Sequence, residues 1–360
     1  MYCPEIHHNL SIHYVNNKVI LGPCCIAKHT PVKNNRILDH QEIVFLRNEN
    51  NQGKLTSTCN PCITSEKYGG SSRRLNQLDY YKNYQGGIRG LDIHLGNLCN
   101  LKCVICGPHD STSWRQDWES LGFEIKEEWK YDKRDQYGIN WLAQLKDLEM
   151  VHFWGGEPLM GDAHVNFLKE LDNAGTLKNC RIQYNTNGTH TVSDEVLELW
   201  SQAHLVEIYF SIDDINERFE YQRTNSKWKE VTENLLWFKQ NLPNNHLLYV
   251  NTVWSYLNVY YLEELYDWLE DNFDSNRFGD DNKFILHQAL GRCQLTSLTS
   301  KQHTALSKKL TRDIFRPILK QINISKNSNE QFIHYLKNLD NVRNLNYKDT
   351  HPEWGEILGV

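Results

Sequence analysis

From about residue 90 onward, short apolar segments alternate with amphipathic ones, and this alternation constrains the fold more than any other feature of the sequence. Residues 150–154 and 206–213 are rich in β-branched and aromatic side chains, as strands are, whereas residues 163–174 repeat apolar side chains at helical spacing. Six strand–helix units of this kind follow one another up to about residue 290. Because such connections form right-handed crossovers between parallel strands, we expect an α/β fold built on a parallel sheet.

Four segments that could carry chemistry each follow one of these predicted strands. In parallel α/β folds the carboxyl ends of the strands meet at one edge, which is where ligands bind. We therefore expect the four segments to converge on one site. They are the loop at 96–107, the segment Gly155-Gly-Glu-Pro158, the segment Asn185-Thr-Asn-Gly188, and the pair Ser211 and Asp213.

The first of these loops carries three cysteines in the pattern Cys99-x3-Cys103-x2-Cys106. Three thiolates on one loop suffice to bind three irons of a cubane iron–sulfur cluster, and the fourth iron then stays open to another ligand. A cluster that only carries electrons is usually held by four cysteines, so this pattern indicates a chemical site. Two of the three cysteines would equally suit a zinc knuckle, and the loop alone leaves both interpretations open.

The cysteine spacing, together with the three segments that follow it, resembles the radical S-adenosylmethionine (radical SAM) superfamily. The resemblance implies a partial (β/α)6 barrel of the TIM type over residues 86–295. It also implies that Cys99, Cys103 and Cys106 bind a [4Fe-4S] cluster whose open iron chelates S-adenosylmethionine. In this superfamily, reductive cleavage of S-adenosylmethionine yields a 5′-deoxyadenosyl radical, which abstracts hydrogen from the substrate. Family members often have an aromatic residue before the last cysteine, where this chain has Ile105.

The resemblance further implies which residues bind S-adenosylmethionine. Two glycines after the second strand let backbone carbonyls accept hydrogen bonds from its ammonium group, and the neighbouring glutamate orients either that group or the loop. Short polar residues after the third and fourth strands suit the ribose and the carboxylate, and an arginine pairs with the carboxylate. Ordinary turn polarity is the alternative for these polar residues. The implied set is Gly155, Gly156, Glu157, Pro158, Asn185, Thr186, Asn187, Ser211, Asp213 and Arg223, and Asn258 resembles a further family position.

Several other chemically active side chains are expected to have structural roles. Imidazole and indole rings on barrel strands more often pack than catalyse, lone thiols are usually buried, and an arginine pair is usually solvated. No catalytic residue is therefore named from the sequence. The residues concerned are His94, His152, Trp154 and His287 on the strands, the thiols Cys180 and Cys293, and the pair Arg73 and Arg74.

Five further cysteines lie within residues 1–85, which form the first of three predicted domains. A hairpin is indicated by two apolar runs joined at Asn16-Asn17, and a Cys-x2-Cys pair opens a predicted helix. This arrangement resembles the auxiliary-cluster domain of radical SAM enzymes called twitch, or half of a SPASM domain, although here it precedes the core. The resemblance implies a second [4Fe-4S] cluster, closed by four ligands and suited to electron transfer, with a four-cysteine zinc site as the alternative. The implied ligands are Cys3, Cys24, Cys59 and Cys62, with Cys25 as the alternative to Cys24.

The charge and composition of the chain narrow its location and its partners. A formal net charge of −6 and a pI near 6.2 disfavour bulk nucleic acid and membrane surfaces as partners. The chain has no apolar run of membrane-spanning length and begins without the features of a signal peptide, so a cytoplasmic protein is expected. There, ten cysteines favour metal binding or catalysis over disulfides. Residues 296–360 are polar and are expected to form a helical extension with a ragged tail.

Together these patterns predict a radical SAM enzyme of the oxidoreductase or transferase type. A peptide is the first candidate substrate, because twitch and SPASM domains often accompany peptide modification in this superfamily. Modification of a small molecule or a nucleotide is the alternative. A zinc- or cluster-binding protein without catalysis is the alternative from a different class. The resemblance also implies an electron donor such as flavodoxin or ferredoxin.

Overall fold

The structure, a computed structural model, describes residues 1–15, 18–32, 37–67, 72–129, 139–242, 246–272, 284–325 and 329–360. Among these residues, no helix combines the length and the apolar character that a membrane span requires. The strands are β1 (Asn9–Val15), β2 (Lys18–Gly22), β3 (Thr30–Pro31), β4 (Gly90–His94), β5 (Met150–Trp154), β6 (Arg181–Thr186), β7 (Leu205–Ser211), β8 (His246–Trp254), β9 (Phe284–Gln288), β10 (Ser297–Leu298) and β11 (Asn323–Ile324). The α-helices are α1 (Pro4–His8), α2 (Gln41–Asn51), α3 (Asn60–Lys67), α4 (Arg73–Leu78), α5 (Arg115–Ser120), α6 (Ala163–Asn173), α7 (Asp194–Gln202), α8 (Asn216–Gln222), α9 (Trp228–Asn241), α10 (Leu262–Asn272), α11 (Ser300–Lys309), α12 (Arg316–Gln321), α13 (Glu330–Arg343), α14 (Tyr347–Thr350) and α15 (Pro352–Leu358).

One large sheet organises the molecule. Its strand order is β3-β2-β1-β4-β5-β6-β7-β8-β9. From β4 to β9 each strand pairs in parallel with the next strand of the chain, and helices lie in the connections between them. The α/β fold expected from the alternating pattern is therefore confirmed, and its core is a partial barrel of the TIM type.

The two faces of this sheet differ in chemistry. Leu91, Ile93 and Phe153 on β4 and β5 point to one face, where they join the hydrophobic core formed with the surrounding helices. Asp92 and His94 alternate with them and lie on the opposite face, because successive side chains of a strand point to opposite sides. We call this second face, the inner face of the partial barrel, the lumen face. Its polar side chains are available for chemistry rather than for core packing.

The amino-terminal hairpin extends the barrel sheet. β1 pairs antiparallel with β2 and in parallel with β4, where Asn9 lies opposite Gly90. A Cβ at Gly90 would lie 2.5 Å from the Asn9 Oδ1 atom, so this close approach requires glycine. The turn predicted at Asn16-Asn17 lies outside the described residues. The boundaries predicted at 85 and 295 fall between secondary-structure elements, but the segments on either side of the first share one sheet.

The described part of the carboxyl-terminal segment is helical up to Leu358 near its end. It contains α11 to α15 and a short parallel sheet of β10 and β11. In α15, Trp354 is fully buried, its Nε1 donates to the Tyr256 carbonyl at 2.7 Å, and its ring stacks on Tyr260. The expectation of a ragged tail is therefore wrong, because α15 buries a large aromatic side chain against the core.

We predict that Trp354→Ala lowers the free energy of unfolding by roughly 3 to 5 kcal/mol, because it removes a buried indole and its hydrogen bond. Trp141, which is 42% exposed, supplies the matched control, and Trp141→Ala should change that free energy by about 0.5 kcal/mol or less. Urea denaturation followed by circular dichroism measures both. Equal effects of the two substitutions would contradict a packed carboxyl terminus.

Candidate functional site

All four predicted segments lie at the carboxyl ends of the neighbouring strands β4, β5, β6 and β7. The backbone N–H of Glu157, after β5, donates to the Leu98 carbonyl of the cysteine loop at 2.8 Å. On its other side, the loop is bound to the end of α8, because the Val104 N–H donates to the Gln222 carbonyl at 2.7 Å. The cysteine loop is thus held between the glycine-rich segment and α8.

The carboxyl-terminal helix α13 also holds the cysteine loop, and no sequence motif indicates this. The Tyr335 hydroxyl donates to the Val104 carbonyl at 3.0 Å, and Arg343 Nη2 donates to the Lys102 carbonyl at 2.7 Å. Arg343 is 2% exposed and its Nε pairs with Asp117 at 2.7 Å. The arginine and the carbonyl it binds are separated by 241 residues, so no local pattern could have revealed the contact.

The thiols of the loop face N–H donors. Asn187 Nδ2 lies 3.7 Å from Cys99 Sγ, and Arg223 Nη1 lies 3.8 Å from Cys103 Sγ. Burial raises the pKa of Cys99 to about 12, and it raises the pKa of Cys103 against the lowering effect of Arg223. Thiolates in these surroundings need cations as partners, and they accept N–H donors as cluster-bound cysteines do. This donor set fits an iron–sulfur cluster.

The mutual placement of the three thiols bears on the kind of metal. Burial raises the pKa of Cys106, and the nearby Cys103 and Cys99 raise it further, so the three thiols influence one another. Within the described ranges, no three His, Cys, Asp or Glu side chains are close enough together to bind a single metal ion. A cubane cluster does not require its three thiols to meet at one ion, because each of its cysteines binds a separate iron.

The glycine-rich segment has a backbone that only glycine adopts without strain. Gly155 and Gly156 have φ values of +83° and +56°. A Cβ on Gly155 would lie 2.3 Å from the His94 ring. The segment therefore turns sharply against β4. Its backbone groups lie at the carboxyl ends of the barrel strands, which we call the rim, where the predicted ligand contacts require them.

Glu157 links this segment to the turn after β6. Its carboxylate is fully buried and accepts hydrogen bonds from Thr186 Oγ1 at 2.8 Å, from the Asn187 N–H at 2.6 Å and from the Leu159 N–H at 3.0 Å. Of the two roles predicted for Glu157, orienting the loop is the one that these contacts describe. Thr186 contributes to the same contact, and Asn187 reaches on to Cys99.

Arg223 and Asp213 form a buried ion pair beside the cysteine loop. Arg223 Nη2 lies 2.8 Å from Asp213 Oδ2, and the arginine side chain is 7% exposed. The other Asp213 carboxylate oxygen accepts from the Val253 N–H at 2.8 Å. Arg223 Nε has no hydrogen-bond partner among the described residues. The ion pair therefore directs the guanidinium toward Cys103 and leaves one of its N–H groups for a ligand.

The remaining predicted cofactor residues differ in their surroundings. Asn185 and Ser211 are half-buried at the ends of β6 and β7, on the lumen face. Pro158 is buried next to Glu157. Asn258 is fully buried, and its Nδ2 donates to the Asp213 carbonyl at 2.8 Å and to the Val253 carbonyl at 3.0 Å. Asn258 thus braces the loop that carries Asp213.

Aromatic rings on the lumen face pack beside the cysteine loop. His13, His94 and Trp154 occupy paired positions on β1, β4 and β5. His13 stacks on His94 with ring centroids 4.5 Å apart, and both rings meet the edge or face of Trp154 at right angles. His94 Nε2 lies 2.8 Å from Asp110, and its Nδ1 accepts from the Gly96 N–H at 3.2 Å. Both nitrogens of His94 thus hold the rim in place.

Arg73 lies inside the molecule, so the expectation of a solvated arginine is wrong for it. Its Nε donates to both carboxylate oxygens of Glu5, at 2.8 and 2.9 Å, and its Nη2 donates to Asp92 at 2.8 Å. His152 Nδ1 lies 2.9 Å from the same Asp92. Burial raises the pKa of Glu5 to about 7, whereas Arg73 and His152 outweigh burial and lower the pKa of Asp92. The Arg73 guanidinium thus compensates the two buried carboxylates of Glu5 and Asp92, which would otherwise lack a cationic partner of this strength.

Arg74 is also mostly buried, at 11% exposure, and it lines a pocket in the amino-terminal segment. That pocket gathers cysteines from the chain start, from the turn after β2 and from the beginning of α3. Cys25, the alternative ligand, does not line it. We call it the auxiliary pocket; its lining includes Cys3, Cys24, Cys59, Cys62, Glu5 and Arg74.

The other singled-out residues lie apart from these two sites or serve packing. Cys180 and Cys293 are fully buried, and Cys293 Sγ lies 3.9 Å from the Val104 carbonyl. His287 on β9 lies opposite Val253, on the lumen face, and its side chain is exposed there, so it does not pack into the core as its place on a strand led us to expect.

Comparisons with known proteins bear on the rim site. The model of the Radical SAM superfamily matches residues 93–269. The GTP 3′,8-cyclase of Synechocystis sp. is 30% identical over 138 residues, which are 38% of this chain and 37% of the cyclase.

Solved structures are similar as well. Native anSMEcpe with bound AdoMet is 19% identical, with 66% of this chain and 63% of that chain covered and a TM-score of 0.41. Streptococcus suis SuiB bound to S-adenosylmethionine is 14% identical, with 93% of this chain and 74% of that chain covered and a TM-score of 0.39. The chain thus matches little more than a third of the cyclase and less than two thirds of anSMEcpe.

We predict that Gly155→Ala destabilises the protein by roughly 2 to 5 kcal/mol, because the new methyl group meets the anchored His94 ring at positive φ. Gly161 is the matched control, since it also has positive φ but nothing within 4 Å of its Cβ position. Gly161→Ala should cost about 1 to 2 kcal/mol of backbone strain alone. Urea denaturation compares the two, and equal losses would contradict the packing described for the glycine-rich segment.

Proposed function

We propose that this chain, whose residues 93–269 match the domain model of the Radical SAM superfamily, cleaves S-adenosylmethionine reductively and abstracts hydrogen from a substrate with the 5′-deoxyadenosyl radical. The domain implies a [4Fe-4S] cluster and S-adenosylmethionine as cofactors. The observation that carries the proposal is the meeting of three loops at Glu157: its backbone binds the cysteine loop and its carboxylate binds the turn after β6. The residues proposed to bind the cluster and those proposed to bind S-adenosylmethionine thereby lie at the same rim.

Cys99, Cys103 and Cys106 are the proposed ligands of the cluster. When bound, the cluster supplies the electron that cleaves the sulfonium of S-adenosylmethionine. The N–H groups that Asn187 and Arg223 direct at two of the sulfurs stabilise thiolate charge in a partly buried site. The loop is held by Glu157 on one side and by α8 and α13 on the other, which keeps the three thiols in a fixed relation to one another.

The neighbouring residues are proposed to hold S-adenosylmethionine. The turn at Gly155 and Gly156 offers backbone carbonyls to its ammonium group. Arg223, clamped by Asp213, retains an unpaired Nε–H that suits the carboxylate. Asn185 and Ser211, half-buried on the lumen face, suit the ribose hydroxyls. Glu157, Thr186, Asp213 and Pro158 act as positioning residues in this scheme, because their contacts are to the protein.

We also propose that the auxiliary pocket binds a second [4Fe-4S] cluster through Cys3, Cys24, Cys59 and Cys62. The support is that these four cysteines line one pocket and that Cys25 does not. Four ligands close a cluster, so its role would be electron transfer. Zinc is the competing occupant, and it would accept no electron. We propose three parts of this chain: the auxiliary segment at 1–85, the core at 86–295 and the extension at 296–360.

A peptide is the proposed substrate. Two cations of the lumen face in the described part of the chain are already paired, Arg73 with Glu5 and Asp92 and Arg181 with Glu207 at 3.3 Å, which favours an uncharged substrate group. A polyphosphate would need cations that are free to pair with it. The similarity over 138 residues to a GTP 3′,8-cyclase favours a nucleotide as the second candidate.

Oxidation of the substrate is the proposed outcome, which makes the protein an oxidoreductase, with a transferase reaction as the alternative. A one-electron donor of low potential is required, and flavodoxin or ferredoxin is proposed in this role. We propose the cytoplasm as the location, where such donors and reduced thiols coexist.

We predict that anaerobically reconstituted protein forms 5′-deoxyadenosine when given dithionite and S-adenosylmethionine. Cys106→Ala removes one cluster ligand, so it should abolish product formation, whereas Cys180→Ala, which alters a buried thiol elsewhere, should retain it. Liquid chromatography with mass spectrometry measures the product. Brown, iron-loaded protein that forms no 5′-deoxyadenosine in any of these assays, with or without added peptide, would overturn the proposed reaction.

Substrate class is tested in the same assay. GTP and a pool of unmodified peptides are added separately, and the reaction is followed as a change in the mass or the chromatographic retention of the added molecule. Loss of two mass units from a peptide supports the first candidate. Conversion of GTP with a matching yield of 5′-deoxyadenosine would replace it with the second.

A further inference from the structure

In the described part of the chain, the lining of the auxiliary pocket includes one cationic side chain, that of Arg74. The four proposed cluster ligands line the same pocket. The hydrogen bonds that Arg74 donates to Glu66 raise its pKa against the effect of burial, so the guanidinium keeps its charge.

Hydrogen bonds from Nε and from both Nη atoms fix the position of the Arg74 guanidinium. Its Nε and Nη2 donate to the two carboxylate oxygens of Glu66, at 2.9 and 2.5 Å, and its Nη1 donates to the Tyr2 carbonyl at 2.9 Å. Ser72 caps the helix that begins with Arg73 and donates to Glu66 at 2.5 Å. An arginine held in this way keeps its charge at one place.

The counter-charge of Arg74 lies behind it, outside the lining of the pocket. Glu66 does not line the auxiliary pocket, whereas Arg74 does. Glu5 also lines the pocket, and its charge is offset by Arg73, which binds both of its carboxylate oxygens. The Arg74–Glu66 pair is therefore oriented with its cation toward the thiols.

A positive charge beside an iron–sulfur cluster changes the reduction potential of that cluster. Reducing a four-cysteine cluster adds one negative charge to a site that is already anionic, and a buried cation stabilises the reduced form more than the oxidised form. We propose that Arg74 is a positioning residue that raises the reduction potential of the auxiliary cluster and thereby suits it to accept an electron. This inference rests on the proposed auxiliary cluster. A zinc ion, which keeps its charge, would draw no such benefit.

The test uses the full-length chain with Cys99→Ala, Cys103→Ala and Cys106→Ala, so that a cluster is confined to the auxiliary pocket. Its midpoint potential is measured by anaerobic redox titration, with the electron paramagnetic resonance signal of the reduced cluster as the readout. Arg74→Gln should shift the potential to a more negative value. Arg74→Lys keeps the charge and should leave the potential close to that of the parent.

A second substitution should shift the midpoint potential in the opposite direction. Glu66→Gln removes the counter-charge behind Arg74 and should make the potential more positive. This variant tests the role of Arg74 even if Arg74→Gln does not fold. Unchanged potentials in an iron-loaded pocket would overturn the role of Arg74 while leaving the auxiliary cluster intact. Zinc in place of iron, measured by elemental analysis of the parent, would overturn the auxiliary cluster and this inference with it.

Discussion

The rim of the barrel depends on one buried carboxylate, that of Glu157. Burying a charge costs free energy unless hydrogen-bond donors replace the water it loses, and three donors from two loops do so here. The backbone of the same residue binds the cysteine loop at Leu98. The carboxylate thus joins its own loop to the turn after β6, and the backbone N–H joins that loop to the cysteine loop, so three loops meet at one residue.

Segments outside the parallel core complete the site. Arg343 from α13 binds the backbone of the cysteine loop, and Arg73 from α4 binds Asp92 on the first core strand. Each is a largely buried cation with carboxylate partners, and breaking such a pair leaves a buried charge without compensation. The barrel strands therefore provide the frame, and the two ends of the chain hold its charged groups in place.

The two cysteine sites share an arrangement of charge. At the rim, Arg223 points a guanidinium nitrogen at Cys103, and Asp213 binds the same guanidinium. In the auxiliary pocket, Arg74 faces thiols and Glu66 lies behind it. An ion pair held in this orientation places positive charge at sulfur while the pair as a whole stays neutral. The negative charge that a metal-bound sulfur would carry is then stabilised locally, although the ion pair adds no net charge of its own.

Local pattern alone determined the parallel α/β core, the cysteine trio and the sharp turn at Gly155, because each is encoded by residues close together in the chain. For the auxiliary cysteines the sequence left Cys24 and Cys25 as alternatives, and the structure separates them, because Cys24 lines the pocket and Cys25 does not. Only the tertiary structure decided that Arg73 is buried, that α15 packs to its end, and that Arg343 holds the cysteine loop. These contacts join residues far apart in sequence, so they depend on which helices and strands pack against one another. Composition and motif spacing do not determine that packing.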